Sequence, residues 1–300
     1  MSKQTKGSLI LLLTAMIWGF AFVAQDLSSE YTNAFNINMM RNFIAVIALL
    51  PLVIYTSKKE NTKILEEGNK RKQLLIAGML CGACLCVAST FQQLGIGLYP
   101  SNAAASGRSG FITAMYVVLV PILGLFLHKK VSTLQWVSVL LSIVGMYLLC
   151  FSSGVSGLYL GDIIVFICAI CFCVHILCID HFISAVNGVK MAWLQFLTAC
   201  ILSFLITLFT GGIDFKGIQS AIVPLLYLGV MSSGIAYTLQ IIGQKYQDNP
   251  TIASIIMCLE SVFALIGGML FGEVLSIREL VGCGIMFIAV ILSQLPTKKD

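Results

Sequence analysis

Glu260 is the residue that most directly suggests chemistry. It lies near the middle of a long apolar run at about 250–272. A charged carboxylate at that depth of a bilayer costs about 3 kcal/mol to insert. It must therefore face a cavity, meet a partner or carry a proton. In a cavity it could bind a substrate amine or take up a coupling proton; against another helix it would be a buried structural acceptor. Arg108 lies about two turns into another apolar run, at 109–127 with its polar lead-in. Its planar fork can bind a carboxylate bidentately, its stem can carry the charge out to the surface, or it can pair with Glu260. The sharpest expectation is that Arg108 and Glu260 create a polarised cavity suited to a zwitterion such as an amino acid. Arg41, near the outer end of its run, reads as an anchor or gate rather than a substrate ligand. Asp162 and Glu273 fall at helix ends, where a charge is cheap and an acid can cap.

A second tier of residues supplies hydrogen bonds and flat surfaces. Gln92 and Gln93 share one run. Tyr237 and Gln240 are three apart in another and share a helix face. These four could line a cavity or hold helices together. Trp18 and Tyr116 could stack on a flat substrate or simply pack. His175 is a hydrogen-bonded packing residue or a proton relay.

Other chemistries lack their signatures. The 11 cysteines lie in or beside apolar runs. Cys81 with Cys84 and Cys168 with Cys171 have metal-like spacing, but neither pair sits in a polar loop or near a second pair, as a zinc site requires. They read as small packing residues. No glycine-rich phosphate loop and no His-Glu-x-x-His zinc signature occurs. Gly107-Arg108-Ser109-Gly110 is one residue short of a nucleophile elbow. No metal, cofactor or ATP use is expected.

The elements that must hold these residues follow from composition. The 300 residues are 58% hydrophobic and 10% charged, with mean hydropathy +0.96. Soluble domains carry about a quarter charged residues. This balance excludes a soluble enzyme, a disordered chain and a nucleic-acid-binding domain. Long uncharged runs at 8–24, 74–98, 109–127, 131–151, 163–179, 191–210, 221–244 and 280–296 join charge-bearing runs at 34–56 and 250–272. A span needs about 20 apolar residues, so the expectation is an all-α membrane protein with ten transmembrane helices. Of the 18 Lys and Arg residues, Lys3, Lys6, Lys58, Lys59, Lys63, Lys70, Arg71, Lys72, Lys129, Lys130, Lys190, Lys245, Lys298 and Lys299 fall on one side of that topology. Basic residues mark the cytoplasmic face. Both termini are therefore expected in the cytoplasm, in the plasma membrane (a bacterial inner membrane). The first run ends at Gln25 and Asp26 without a small-residue cleavage pattern, so it reads as a span rather than a removable signal. The polar stretch 57–72 reads as a solvated linker with a helical turn or two.

The chain divides near Gly154. Leu259-Glu260 lies 144 positions after Met115-Tyr116, and Val274-Leu275-Ser276 lies the same distance after Lys130-Val131-Ser132. Halves 1–152 and 153–300 with five spans each would be inverted relative to one another. Inverted repeats are an architecture of secondary transporters, with the substrate site between them near the midplane.

Several stretches resemble, in order, the EamA-like family of the drug/metabolite transporter superfamily. Ile17-Trp18-Gly19-Phe20-Ala21-Phe22-Val23-Ala24-Gln25 resembles its first-span opening, and Arg41-Asn42-Phe43 the start of its second span. Gly110 through Pro121 resembles its fourth span. Gly161-Asp162, Val174-His175-Ile176 and Asp180 resemble the start of its second repeat. Leu259-Glu260-Ser261-Val262-Phe263-Ala264 and Phe271-Gly272-Glu273 resemble its ending. Ser261 stands where the family usually has proline, the 99–108 stretch is about a turn longer, and His128-Lys129 replace an acidic end. The resemblance implies a carrier, by preference an exporter, of small metabolites, built as two inverted five-helix repeats. Amino acids, amphipathic drugs, sugars and vitamin-like compounds are its substrate candidates, and protons its candidate coupling ion. The lipid bilayer and the small-molecule substrate are the expected partners, and oligomeric state is left open. An intramembrane enzyme and a channel are the alternatives.

Overall fold

The structure, a computed structural model, describes residues 2–65, 67–100, 105–150, 159–269 and 276–295. The side chains of Leu149, Cys150, Gly268, Met269 and Glu279 are outside that description. So are the expectations placed on Gly154, Phe271-Gly272-Glu273, Val274-Leu275, Lys298 and Lys299.

The regular elements described are helical. Helix α1 (Lys3–Ser29) and α2 (Ala34–Lys59) are followed by α3 (Gly68–Ile96), then α4 (Ala105–Ala114) and α5 (Tyr116–Phe126) in one line. After α6 (Thr133–Cys150), α7 (Leu160–Phe182) and α8 (Gly188–Phe209) come the short α9 (Phe215–Ser220) and α10 (Ile222–Leu226). A π-helical stretch, Tyr227–Ala236, leads into α11 (Tyr237–Lys245). Helices α12 (Pro250–Met257), α13 (Glu260–Met269) and α14 (Ile277–Ser293) complete the chain. At 1.5 Å per residue, the 27 residues of α1 reach about 40 Å, more than a hydrocarbon core needs. Eight helical lines are long and apolar enough to cross a membrane; Thr133–Leu148 and Leu280–Ser293 are shorter apolar helices. Against the expectation of ten spans, eight reach full length among the described residues.

The polar breaks between runs are where helix ends find partners. Asn33 accepts from the backbone N–H groups of Phe35 and Asn36, Asn187 from Val189 and Lys190, and Asn249 from Thr251. Each satisfies otherwise orphaned amide donors. The described residues of the 57–72 stretch are largely exposed and carry helical turns at both ends, as expected of a solvated linker. Helix α2 runs to Lys59 and α3 starts at Gly68, and Lys190 reaches under the turn between them. Its ammonium donates to Thr62 Oγ1 and to the Lys63 carbonyl, each at 2.9 Å. Lys190 is fully buried, and so is a clamp rather than a solvated surface charge.

Two helical lines are broken near their middles. Between α4 and α5, Met115 N–H bonds Ile112 O (3.1 Å) and Val118 N–H bonds Met115 O (3.0 Å). Between α12 and α13, Leu259 N–H bonds Ile256 O and Ser261 N–H bonds Cys258 O, both at 3.2 Å. These three-residue closures tighten the turn and redirect the axis. No proline is needed at the second break: the Ser261 hydroxyl donates to Cys258 O (2.8 Å) and the Cys258 thiol to Ile255 O (3.0 Å). Tyr116 and Glu260, the first residues after each break, are the pair matched by the 144-position offset.

Close packing places these breaks against α1. A Cβ on Gly19 would stand 2.4 Å from Phe263 Cβ and 2.7 Å from the Glu260 carbonyl. Only glycine lets α1 and α13 approach there. The outward faces carry large exposed apolar side chains such as Phe126, Phe209 and Ile277. In water such a surface would drive association; in lipid it is matched.

Candidate functional site

A narrow cavity of about 30 Å³ opens where α1, α2, the two breaks, α7 and the π-helical stretch meet. That volume suits one or two waters in this conformation. Its wall holds Trp18, Phe22 and Gln25 of α1, Arg41 of α2, Gln92 of α3 and Thr113 of α4. Tyr116, Phe172, Ile176, Ser232, Tyr237, Gln240 and Glu260 also line it. Of the residues singled out from sequence, Glu260, Tyr116, Trp18, Tyr237, Gln240 and Arg41 therefore come together.

Arg41, expected near the outer end of its run, brings a guanidinium to this cavity. It is only 4% exposed. Its Nε donates to Ser233 Oγ at 3.1 Å, Nη2 to Ser232 Oγ at 3.1 Å and Nη1 to Gln25 Oε1 at 3.4 Å. All three acceptors are neutral. Among the described residues no carboxylate lies at ion-pair distance from Arg41. Both serines belong to the π-helical stretch, a rare winding that concentrates at functional sites. Gly229 in the same stretch lets it close on α2: a Cβ there would meet Ile44 Cβ at 2.4 Å.

Glu260 is the acidic side chain of this cavity. It is 3% exposed and lies beside the Tyr116 hydroxyl. Glu260 Oε1 and Tyr116 Oη are both buried without a hydrogen-bond partner among the described residues. Gln240 Oε1 is in the same condition. Buried polar atoms are normally paired. Here three unpaired atoms belong to residues that line one cavity. Between them and Arg41, Trp18 and Tyr237 form an aromatic side, with ring centroids 4.7 Å apart. The Trp18 indole N–H donates to the Ser232 carbonyl at 3.3 Å, fixing that side to the π-helical stretch.

Three expected residues stand elsewhere. Arg108 does not pair with Glu260 and does not line the cavity. Its Nε donates to Asp162 Oδ1 (3.1 Å) and its Nη2 to Asp162 Oδ2 (2.6 Å). Its guanidinium also lies 4.8 Å from the Tyr159 ring centroid, in cation–π range. Asp162 further accepts from Tyr99 Oη (2.7 Å) and from the Tyr159 amide (2.9 Å), so it caps α7 as well as holding Arg108. Burial and this neighbouring carboxylate push the Tyr99 phenol above its ordinary value. The cluster ties α4 and the end of α3 to the start of α7. Gln93 also holds helices together, donating to Gln25 O (3.1 Å) and Ser29 Oγ (2.8 Å), while its neighbour Gln92 turns into the cavity and donates to Thr113 Oγ1. His175 lies behind the wall. It meets Gln195 Oε1 through Nε2 at 3.2 Å and the Tyr237 ring edge-on at 5.9 Å.

Sequence reasoning missed Gln25, Thr113, Ser233 and the lining role of Ser232. Gln25 was visible only as the end of a run, and the serines only as small residues that permit close packing. Their common signal is a neutral hydrogen-bonding side chain within a spanning segment. Among the described residues no cluster of three or more His, Cys, Asp or Glu suits a metal ion.

Comparison with known proteins places the chain. The model of the EamA-like transporter family matches twice, over residues 5–151 and 159–295. A protein of Archaeoglobus fulgidus described as an uncharacterized transporter is 31% identical over 295 residues, covering 98% of this chain and 87% of that protein. A second uncharacterized transporter, from Clostridium kluyveri, is 20% identical over 303 residues, covering 98% and 94%. One solved crystal structure shares the fold, with a TM-score of 0.75 at 16% identity over 97% of this chain and 96% of that one.

Proposed function

The chain belongs to the EamA-like transporter family, a multi-pass membrane transporter by that membership, and on this premise we propose that it is a secondary carrier, working as an exporter, for small zwitterionic metabolites of the amino-acid class. The carboxylate of such a substrate turns to Arg41 and its ammonium to Glu260. The observation that carries this reading is one cavity lined by both a buried guanidinium and a buried carboxyl group, neither with an opposite charge as partner among the described residues. A zwitterion supplies both missing partners. It also gives each charge of the site an opposite charge to face, which lowers the cost of carrying them within a bilayer.

Movement follows the alternating-access principle, with halves 1–152 and 153–300 as inverted repeats of five spans and both termini cytoplasmic. The matched breaks before Tyr116 and Glu260 support that division, because discontinuous helices line the sites of such carriers. At about 30 Å³ the cavity must widen to admit a metabolite, so its walls move in the cycle. Glu260 is also the residue through which protons would couple. No cofactor takes part and no bond of the substrate changes, which separates this reading from an intramembrane enzyme. Saturation and counterflow separate it from a channel. The experiment is uptake and counterflow of a labelled metabolite panel in proteoliposomes, with and without a proton gradient. Saturable counterflow of intact amino acids supports the proposal; a chemically altered product or non-saturating flux refutes it.

A further inference from the structure

Arg41 and Arg108 use the same face of the guanidinium in two different ways. Arg108 directs Nε and Nη2 at the two oxygens of one carboxylate, at 3.1 and 2.6 Å. This is the side-on fork by which arginine recognises carboxylates. Arg41 directs Nε and Nη2 at two serine hydroxyls, both at 3.1 Å. Ser233 and Ser232 thus occupy, on Arg41, the positions that the two oxygens of Asp162 occupy on Arg108. The remaining contact, Nη1 to Gln25 at 3.4 Å, is long. The serines are adjacent in sequence. In regular α-helix, neighbours point about 100° apart, which works against two of them meeting one fork. The π-helical winding of Tyr227–Ala236 presents both to Arg41.

We propose that Ser232 and Ser233 are a built-in stand-in for a substrate carboxylate: they hold the Arg41 fork while the site is free of substrate, and the incoming carboxylate displaces them. Displacement removes the two bonds that tie the π-helical stretch to α2. The stretch then keeps only its apolar packing on α2 and can shift, and it carries with it the Ser232 carbonyl held by Trp18 and the Tyr237 ring that follows at its end. Ser232 and Ser233 are positioning residues that report occupancy of Arg41 to the cavity wall. The ligand class is a small carboxylate, including the carboxylate end of a zwitterion. This inference rests on reading the cavity as the substrate site.

Trp18 is the natural reporter, read in a protein carrying Trp136→Phe and Trp193→Phe. Acetate, methylamine and glycine are the probes, small enough for a narrow cavity. Acetate and glycine are expected to change Trp18 fluorescence saturably, and methylamine is not expected to give the same change. In the Ser232→Ala, Ser233→Ala double variant the competitor is gone, so the acetate and glycine dissociation constants fall about tenfold, each hydroxyl having held a charged donor. Transport of glycine in vesicles then shows a lower KM together with a lower maximal rate, because occupancy is no longer passed to the wall. A merely structural defect lowers the rate without tightening binding. Ser232→Thr with Ser233→Thr keeps both hydroxyls and is expected to restore the parental affinity; it also serves if the alanine pair does not fold. Trp18 unresponsive to acetate, or carboxylate binding unchanged or weakened in the alanine pair, overturns the proposal. Absence of vesicle transport with the Trp18 response and the tightening intact would instead refute the carrier reading and leave this one standing.

Discussion

Replacing Asp162 with alanine leaves the Arg108 guanidinium facing two tyrosine rings and no carboxylate among the partners described for it. In the native protein the pair has side-chain exposures of only 11% and 5%, with two donor–acceptor contacts at 3.1 and 2.6 Å. Breaking a buried pair from one side costs about 3–5 kcal/mol, because a desolvated charge is left behind. The pair sits near helix ends rather than at mid-membrane, so the lower figure, about 3 kcal/mol, applies. Loss of the Tyr99 hydrogen bond and of the α7 cap at Tyr159 adds about 1 kcal/mol each. At roughly 2 °C per kcal/mol for a chain of this size, the detergent-purified Asp162→Ala protein is expected to melt about 10 °C lower. The double variant Arg108→Ala, Asp162→Ala is expected to recover part of that, since the guanidinium is removed together with its carboxylate. Asp162→Asn keeps the shape and loses the charge, and falls between them. A melting temperature within 1 °C of the parent for Asp162→Ala, or a double variant worse than the sum of the singles, would contradict the assignment of Arg108 to a structural latch.

Three further outcomes are expected. Gly19→Ala puts a methyl 2.4 Å from Phe263 Cβ; it should destabilise the protein by about 1–3 kcal/mol, read as a lower melting temperature, with a larger loss for Gly19→Val. Lys190→Met removes the two bonds that seat the turn at Thr62 and Lys63; limited proteolysis should then cut between α2 and α3 several-fold faster (on the order of 1–3 kcal/mol of local stability) while the rest of the fold stays protected. The Asp214 carboxyl is held below its ordinary value by the Gly217 amide and by the Thr32 hydroxyl. Its contribution is therefore full above the unfolded value and is lost as pH falls through the lower, folded one. Amide exchange at Gly217 should rise as the solution is acidified through that window, and Asp214→Ala should remove the dependence.

What the sequence made legible was depth along each helix. The runs read at 34–56, 191–210 and 250–272 correspond to α2, α8 and the α12–α13 line, whose starts Asn33, Asn187 and Asn249 cap. Glu260 stood out because a carboxylate in the middle of an apolar run has few affordable places to be. Direction around the helix was not legible. Arg108 was expected to share a cavity with Glu260 because their runs hold equivalent places in the two halves, yet its partner is Asp162, 54 positions away, in the first turn of α7. Arg41 was discounted because it lies near a helix end, but the cavity reaches that level through Gln25 and Gln92. The break before Glu260 was obscured by serine at the usual proline position, since hydroxyl and thiol bonds to carbonyls three residues back tighten a helix without a proline. The π-helical stretch left only a Ser-Ser-Gly trace, since its contacts with Arg41, Trp18 and Ile44 lie on neighbouring helices far away in sequence.

The central claim is that one cavity binds both ends of a zwitterion, the carboxylate at Arg41 and the ammonium at Glu260. Its most direct test is glycine and alanine counterflow in proteoliposomes for the parent, Arg41→Ala, Glu260→Gln and Arg108→Lys proteins, each normalised to folded protein. Loss of one charge-assisted contact of about 1.5–3 kcal/mol predicts a rise of roughly ten- to a hundredfold in half-saturating concentration for Arg41→Ala and for Glu260→Gln, with Arg108→Lys unchanged per folded molecule. Parental half-saturation in both cavity variants, or a loss confined to Arg108→Lys, would contradict the account.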